Sequence, residues 1–386
     1  MKTNRDIAKE IAELQRLIND EEIEDIWVNG PGIPVFVWHR RRGMMKLNLK
    51  FSREALEVIV KRIAETVGKP LDEDNPILDA SLTTGDRVAI TLPPVAPKGP
   101  SICIRKFRRK PFSLTELIAN DTIPLDLAGL LWLAVEGMGV RPMNILIAGG
   151  TASGKTTLLN ALLTAVRSNE RIITVEDTRE LNISFIPNWE PLEARPLFSG
   201  KEVTMDDLLK HALRKRPTRV IVGEVRGPEA YTLLEAMNIG HLGSMGTIHA
   251  NNAREAINRL RHPPMSVPLP MISYLDMIIS LGSFYVKSKP ARRVTEVVLI
   301  EGFREGKIIM DTCYVYSPEK GRAVPSSYPY LLFEKIGEAL EISHKEVEEE
   351  AKKRMSILAD MVKKRIFDVD RTREVFERYY ARGYRI

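Results

Sequence analysis

One octapeptide constrains this chain more than any other stretch. Gly149-Gly150-Thr151-Ala152-Ser153-Gly154-Lys155-Thr156 satisfies every fixed position of G-x-x-x-x-G-K-[ST]. It lies between an apolar run, Ile145-Leu146-Ile147, and a segment whose Leu158, Leu159, Ala161 and Leu162 suit a helix. Strand, glycine-rich turn and helix in that order turn backbone N–H groups toward a phosphate chain, and the helix N-terminus adds positive potential. The spacing predicts that Lys155 reaches the β- and γ-phosphates and that the Thr156 hydroxyl ligates Mg²⁺.

Two further apolar runs end in acids. Val220-Ile221-Val222-Gly223-Glu224 closes on a carboxylate able to hold magnesium through water or to orient an attacking water. Ile172-Ile173-Thr174-Val175 leads into Glu176-Asp177-Thr178-Arg179-Glu180. Ligands of doubly wound sheets sit at the carboxyl ends of strands, so Gly149, Glu176 and Glu224 are expected on one rim. The alternative for Glu176-Asp177 is a helix cap or a solvated pair. A fourth segment, Gly240-His241-Leu242-Gly243-Ser244-Met245-Gly246-Thr247-Ile248-His249-Ala250, holds two of the six histidines. Imidazole can hydrogen-bond a γ-phosphate and link it to a carboxylate. His249, after an apolar strand, reads as functional; His241 reads equally as structural or phosphate-linking. Zinc is not expected, because neither histidine has cysteine partners or metal spacing.

At 386 residues, two domains are the natural expectation. Ile7, Ile11, Leu14 and Ile18 space a first amphipathic helix. Residues 23–38 read as two strands broken at Asn29-Gly30-Pro31-Gly32, Ser52 caps a second helix that Gly68 ends, and residues 78–92 read as a hairpin. Residues 1–98 are therefore assigned to a small α+β domain. Residues 99–111 are assigned to a basic interdomain linker that follows a Pro/Gly cluster and carries Ile104-Arg105-Lys106-Phe107-Arg108-Arg109-Lys110. From 112 to 335 helices alternate with short apolar strands, as in a βαβ domain. Residues 336–386 read as helical, opening on the Ser343/Glu346 capping box.

Hydrophobic content of 44% with 28% charge describes a globular chain. A net charge of +6, from 57 basic and 51 acidic residues, permits acidic partners or lipid head groups without selecting one. Cys103 and Cys313 form no disulfide framework and no metal spacing, so a reducing location is expected. The N-terminus lacks the apolar core of a signal peptide, and no window approaches 18 apolar residues.

The strings GGTASGKTT (through Thr157), VEDTREL, RVIVGEVRGPEA and GHLGSMGTIHA occur in the order found in secretion ATPases of type II and type IV systems. There they are called Walker A, Asp box, Walker B and His box. IEDIWVNGPG, ILDASLTTGDRVAITLPPV and IRKFRRKPF resemble the N-terminal domain and linker of that family, and IRKF with LRKRPTRVIVGEVRG resembles its archaeal branch of archaellum and pilus motors. The resemblance implies a RecA-like P-loop domain preceded by a smaller α+β domain and followed by a helical tail. It implies a homohexameric ATPase that uses ATP and Mg²⁺ at the inner face of the cell membrane, working with an integral-membrane platform protein; an acidic lipid surface is a further partner that the charge balance permits. Gly149 to Thr157, with His241, would hold nucleotide; Thr156, Glu176 and Asp177 would attend magnesium. Glu224 would activate water, assisted near magnesium by Glu176 or Asp177, and Arg105, Arg108 or Arg109 would complete the site on the transferring phosphate; His249, from its own context, joins the catalytic candidates. The basic run reads equally as a solvated linker or a membrane-facing patch. Ile239, where the family usually has Thr, and Lys210, where many relatives have Arg, depart from the pattern. A nucleic-acid motor built on the same core is the alternative; the absence of a nucleic-acid motif and an aromatic content of 6% disfavour it.

Overall fold

In a computed structural model the described residues are 3–82, 84–107, 110–195, 202–286 and 289–383. The chain forms two compact units, Met1–Arg109 with Tyr285–Pro290, and Lys110–Phe284 with Ala291–Ile386.

The first unit begins with α1 (Asn4–Asn19), opened by a capping box in which Thr3 and Asp6 satisfy each other's N–H groups. Strands β1 (Ile23–Val28), β2 (Pro34–His39) and β3 (Gly43–Lys50) follow, then α2 (Arg53–Val67), β4 (Ile77–Ser81), β5 (Arg87–Thr91) and β6 (Ser101–Arg105). Ser52 caps α2 and Gly68, at φ 66°, ends it, as expected from a left-handed C-terminal glycine. The sheet order is β3-β2-β1-β6-β5-β4. Ile26, Val37, Ile90 and Ile104 point inward to meet Leu56 and Ile59 of α2. The α1 carboxylate of Glu10, largely buried, accepts both the N–H and the hydroxyl of Ser52 at 2.8 Å, which pins the two helices together.

Two strands here depart from the sequence expectation. Residues 101–105, assigned to the linker 99–111, form β6 in the middle of the sheet. Ile102 and Ile104 are buried while their neighbours alternate outward, a period-2 pattern masked by the basic residues that follow. Likewise β3 buries Gly43 and half-buries Met45, Leu47 and Leu49, with Lys46, Asn48 and Lys50 outward.

The second unit runs α3 (Leu114–Ala119), α4 (Leu125–Glu136), β7 (Ile145–Gly149), α5 (Lys155–Leu163), β8 (Ile172–Glu176) and β9 (Trp189–Glu193). It continues with α6 (Met205–Leu213), β10 (Arg219–Val225), α7 (Glu229–Asn238), β11 (Met245–Ile248), α8 (Ala253–Arg261), α9 (Leu269–Ile272) and β12 (Met277–Val286). Strands β13 (Lys289–Arg304), β14 (Lys307–Ser317) and β15 (Arg322–Pro325) precede α10 (Tyr330–Leu340), α11 (His344–Lys363) and α12 (Val369–Ala381). The sheet order is β15-β14-β13-β12-β7-β11-β10-β8-β9. From β12 to β9 the strands are parallel, and β7, β8, β11 and the first half of β10 are covered on both faces, which is why they read as apolar runs; β9, at the edge, is only half-buried. Ile145 and Ile147 face a core shared with α4, α5, α11 and α12; Leu146 and Ala148 face a second core with α6 to α9.

The helical tail is part of that first core rather than an appendage, and its first helix starts at Tyr330, ahead of the expected 336. Trp132 of α4 stacks on Phe376 at 4.0 Å, and its indole N–H donates to the Tyr380 hydroxyl at 2.6 Å. Arg354, fully buried, donates to Glu136 at 2.7 Å and Glu350 at 3.0 Å, while Arg167 takes the other Glu136 oxygen at 2.5 Å. Where α4 and α11 meet, a Cβ on Gly129 would come within 3.0 Å of the Met355 Cβ.

Candidate active site

The phosphate loop is shaped by contacts that tolerate little else. A Cβ at Gly149 would stand 2.2 Å from the Ser153 Oγ, and that hydroxyl donates to the Gly150 carbonyl at 2.8 Å. Gly154, at φ 96°, is the N-cap of α5, so the loop enters the helix through a left-handed residue. Thr151 and Ala152 are exposed at the loop crest, and Thr156 and Thr157 are half-buried on the first turn. Lys155 curls back, its Nζ donating to the Gly149 and Gly150 carbonyls at 3.0 and 3.2 Å. Burial lowers its proton affinity; the Glu224 and Glu180 carboxylates act in the opposite sense, and the Arg226 guanidinium adds to the lowering.

Strand register brings the acids to the same edge. Ile248 of β11 pairs with Ala148 of β7, Val225 of β10 with Ile248, and Val222 of β10 with Val175 of β8. Gly149, Glu176, Glu224 and His249 therefore stand at the carboxyl ends of four neighbouring parallel strands. Glu176 is 1% exposed. Its Oε1 accepts the N–H groups of Glu180 and Leu181 at 2.8 and 2.9 Å, and its Oε2 is buried without a hydrogen-bond partner. Burial raises its pKa to about 7, with the two N–H groups opposing. The neighbouring strand passes so close that a Cβ at Gly223 would meet the Glu176 Cγ at 2.9 Å. Glu224 is ion-paired with Arg226 at 2.8 Å, and Asp177, well exposed, lies 3.5 Å from the same guanidinium.

His249 is half-buried directly after β11, beside Asn251 and Glu255. Asn251 donates its backbone N–H to Glu255 at 3.0 Å, the main reason that carboxylate stays below its usual range, with His249 a smaller contributor. The Asn251 Oδ1 would lie 3.7 Å from a Cβ at Gly150, so this segment borders the phosphate loop.

His241 goes elsewhere. Its Nδ1 is 2.9 Å from the carbonyl of Pro217, before the first residue of β10, and Gly243 abuts Arg219 at that strand's start. The Gly240 loop enters β11 from its amino end, so His241 sits at the sheet edge opposite Gly149 and does not join the rim. Arg105 is on β6, paired with Asp25 at 3.1 Å across the β1–β6 ladder. Arg108 and Arg109 lie outside the described residues.

Three participants carried no role in the sequence reading. Glu180 accepts the Thr156 hydroxyl at 2.9 Å. The signal for it was a third acid in the run after β8, but only the turn folded by Glu176 brings it back to α5. Gly223 is required by close approach, which no local pattern reveals. Arg226, two residues past Glu224, shares its side of the strand end.

Magnesium can be tested against this donor set. Among the described residues no three His, Cys, Asp or Glu side chains form a metal cage. A threonine hydroxyl, the unpartnered Glu176 oxygen and adjacent carboxylates fit a cation that keeps several waters and takes its other ligands from a phosphate chain, as Mg²⁺ does.

Residues 7–280 match the family described as type II/IV secretion system protein, and the chain belongs to that family. It is 48% identical over 231 residues to the uncharacterized protein MJ0781 of Methanocaldococcus jannaschii, covering 59% of this chain and 32% of that protein. It is 36% identical over 383 residues to MJ0900 of the same organism, covering 97% of this chain and 68% of that protein. The chain thus spans about a third of the first relative's length. Its fold is that of the Legionella pneumophila ATPase DotB, at TM-score 0.54 and 19% identity, over 99% of this chain and 97% of that one. The second unit is accordingly a RecA-like P-loop domain.

Proposed function

We propose that this chain hydrolyses ATP to ADP and phosphate and that the reaction drives a homohexameric motor serving a secretion system or the assembly of a pilus- or archaellum-like filament. The observation that carries the reading is one rim on which Lys155, Thr156, Glu176, Glu180 and Glu224 converge. Phosphoryl transfer asks mainly for positioning and charge neutralisation, and this rim offers both. Backbone N–H groups of the loop and the Lys155 ammonium would hold the β- and γ-phosphates; Thr156 and Glu176 would hold Mg²⁺ directly or through water. Bound there, Mg²⁺ neutralises charge on the phosphate oxygens. Glu224 would take the proton of the attacking water as its oxygen bonds to the γ-phosphorus and the bond to ADP breaks. His249, beside the loop, would link the γ-phosphate to this carboxylate.

Membership of the secretion-system family supports a place for the motor at the inner membrane face beside an integral-membrane platform partner; among the described residues no helix is long and apolar enough to cross a membrane. Phosphate release measured on the full chain tests the chemistry. Glu224→Gln is expected to lose roughly a hundredfold or more in turnover while still binding nucleotide. Full turnover by that variant would remove Glu224 from the mechanism.

A further inference from the structure

Arg226 stands on the catalytic rim, outside the steps assigned to the other residues. Its Nη2 and Nε donate to the Glu224 Oε2 at 2.8 and 3.2 Å, and its Nη1 lies 3.5 Å from the Asp177 Oδ2. One guanidinium thereby ties the acids at the ends of β8 and β10. Its backbone is fixed from the other side: Glu229, 5% exposed in the first turn of α7, accepts the N–H groups of Arg226 and Gly227 at 2.6 and 2.7 Å. The side chain itself is 60% exposed, so it can swing about a fixed root. Its charge is felt at Lys155, which puts it within electrostatic reach of the phosphate-binding ammonium.

Both bonds fall on one oxygen of Glu224, Oε2, so the guanidinium holds the carboxylate proposed to activate water to a neighbour on its own strand end. A γ-phosphate held at Lys155 would offer the guanidinium a partner of higher charge and matching fork geometry. We propose that Arg226 is an arginine switch supplied by the catalytic subunit itself. Without nucleotide it holds Glu224 and Asp177; with ATP bound it passes to the γ-phosphate and frees the Glu224 oxygen for the attacking water. This inference rests on the ATPase reading above and adds to it a residue that distinguishes ATP from ADP.

Equilibrium titration of the full chain with ATPγS and with ADP, both with Mg²⁺, tests it. Arg226→Gln is expected to weaken ATPγS by about tenfold, the worth of one charge-assisted contact, and to leave ADP within about twofold. Arg226→Lys should recover part of the loss. Glu224→Gln removes the competing carboxylate and should tighten ATPγS, a gain absent in the double variant. Equal shifts for both nucleotides, or none, would reduce Arg226 to a surface ion pair and end the switch while leaving the ATPase reading intact. A wild-type chain that binds neither nucleotide, or a Lys155→Ala variant that binds as well as wild type, would overturn both.

Discussion

Burial sets the proton affinity of Glu176. Its carboxyl is raised from 4.5 to about 7 in the folded chain because burial strips it of water, more than the N–H groups of Glu180 and Leu181 restore. A folded-state value above the unfolded one means that protonation favours folding. The contribution is complete below about pH 4.5 and is lost as pH rises through about 7. Without nucleotide and metal, the wild-type chain should therefore lose stability between pH 5 and 8 by on the order of 3 kcal/mol from this group. Glu176→Gln should flatten that slope in chemical denaturation at several pH values; an unchanged slope would mean that Glu176 is solvated. Legibility at this scale was uneven. The phosphate loop follows from local chemistry, and so do the acids that end β8 and β10. His241 did not follow, because a histidine eight residues before His249 can belong to either end of a four-residue strand. Arg226 and Gly223 matter through neighbours on another strand, which one sequence does not order.

Among the elements, capping residues and helical spacing located α1, α2, α5 and the start of α11, and apolar runs located β7, β8, β10 and β11, because each is a local signal. The centre of the first sheet was hidden: β6 is five residues long and opens directly into the basic run. Tail packing was hidden as well, since the partner of Arg354 lies 218 residues away. That contact carries a prediction of its own. Arg354→Met leaves the buried Glu136 to Arg167 alone and takes from Glu350 its 3.0 Å partner, so it is expected to destabilise by about 3 kcal/mol, the low end of the cost of breaking a buried pair, read as a lower urea midpoint. A loss under about 1 kcal/mol would show that water replaces the arginine.

For the whole molecule, binding to the folded state alone links nucleotide to stability. Mg²⁺–ATP at a hundred times its dissociation constant should stabilise the chain by about 2.7 kcal/mol in thermal unfolding, an effect that Lys155→Ala should abolish. Equal stabilisation of the variant would place binding away from this loop. The stacked pair Trp132–Phe376 has a consequence for following such binding. The indole is sealed in the layer that also holds Leu158 and Leu162 of the phosphate-loop helix, with no solvent to blur its emission. One of the four tryptophans thus lies in the same core as the phosphate-loop helix, and its emission is expected to shift if nucleotide binding moves that helix; unchanged emission on saturation would mean that the core behind the loop stays still.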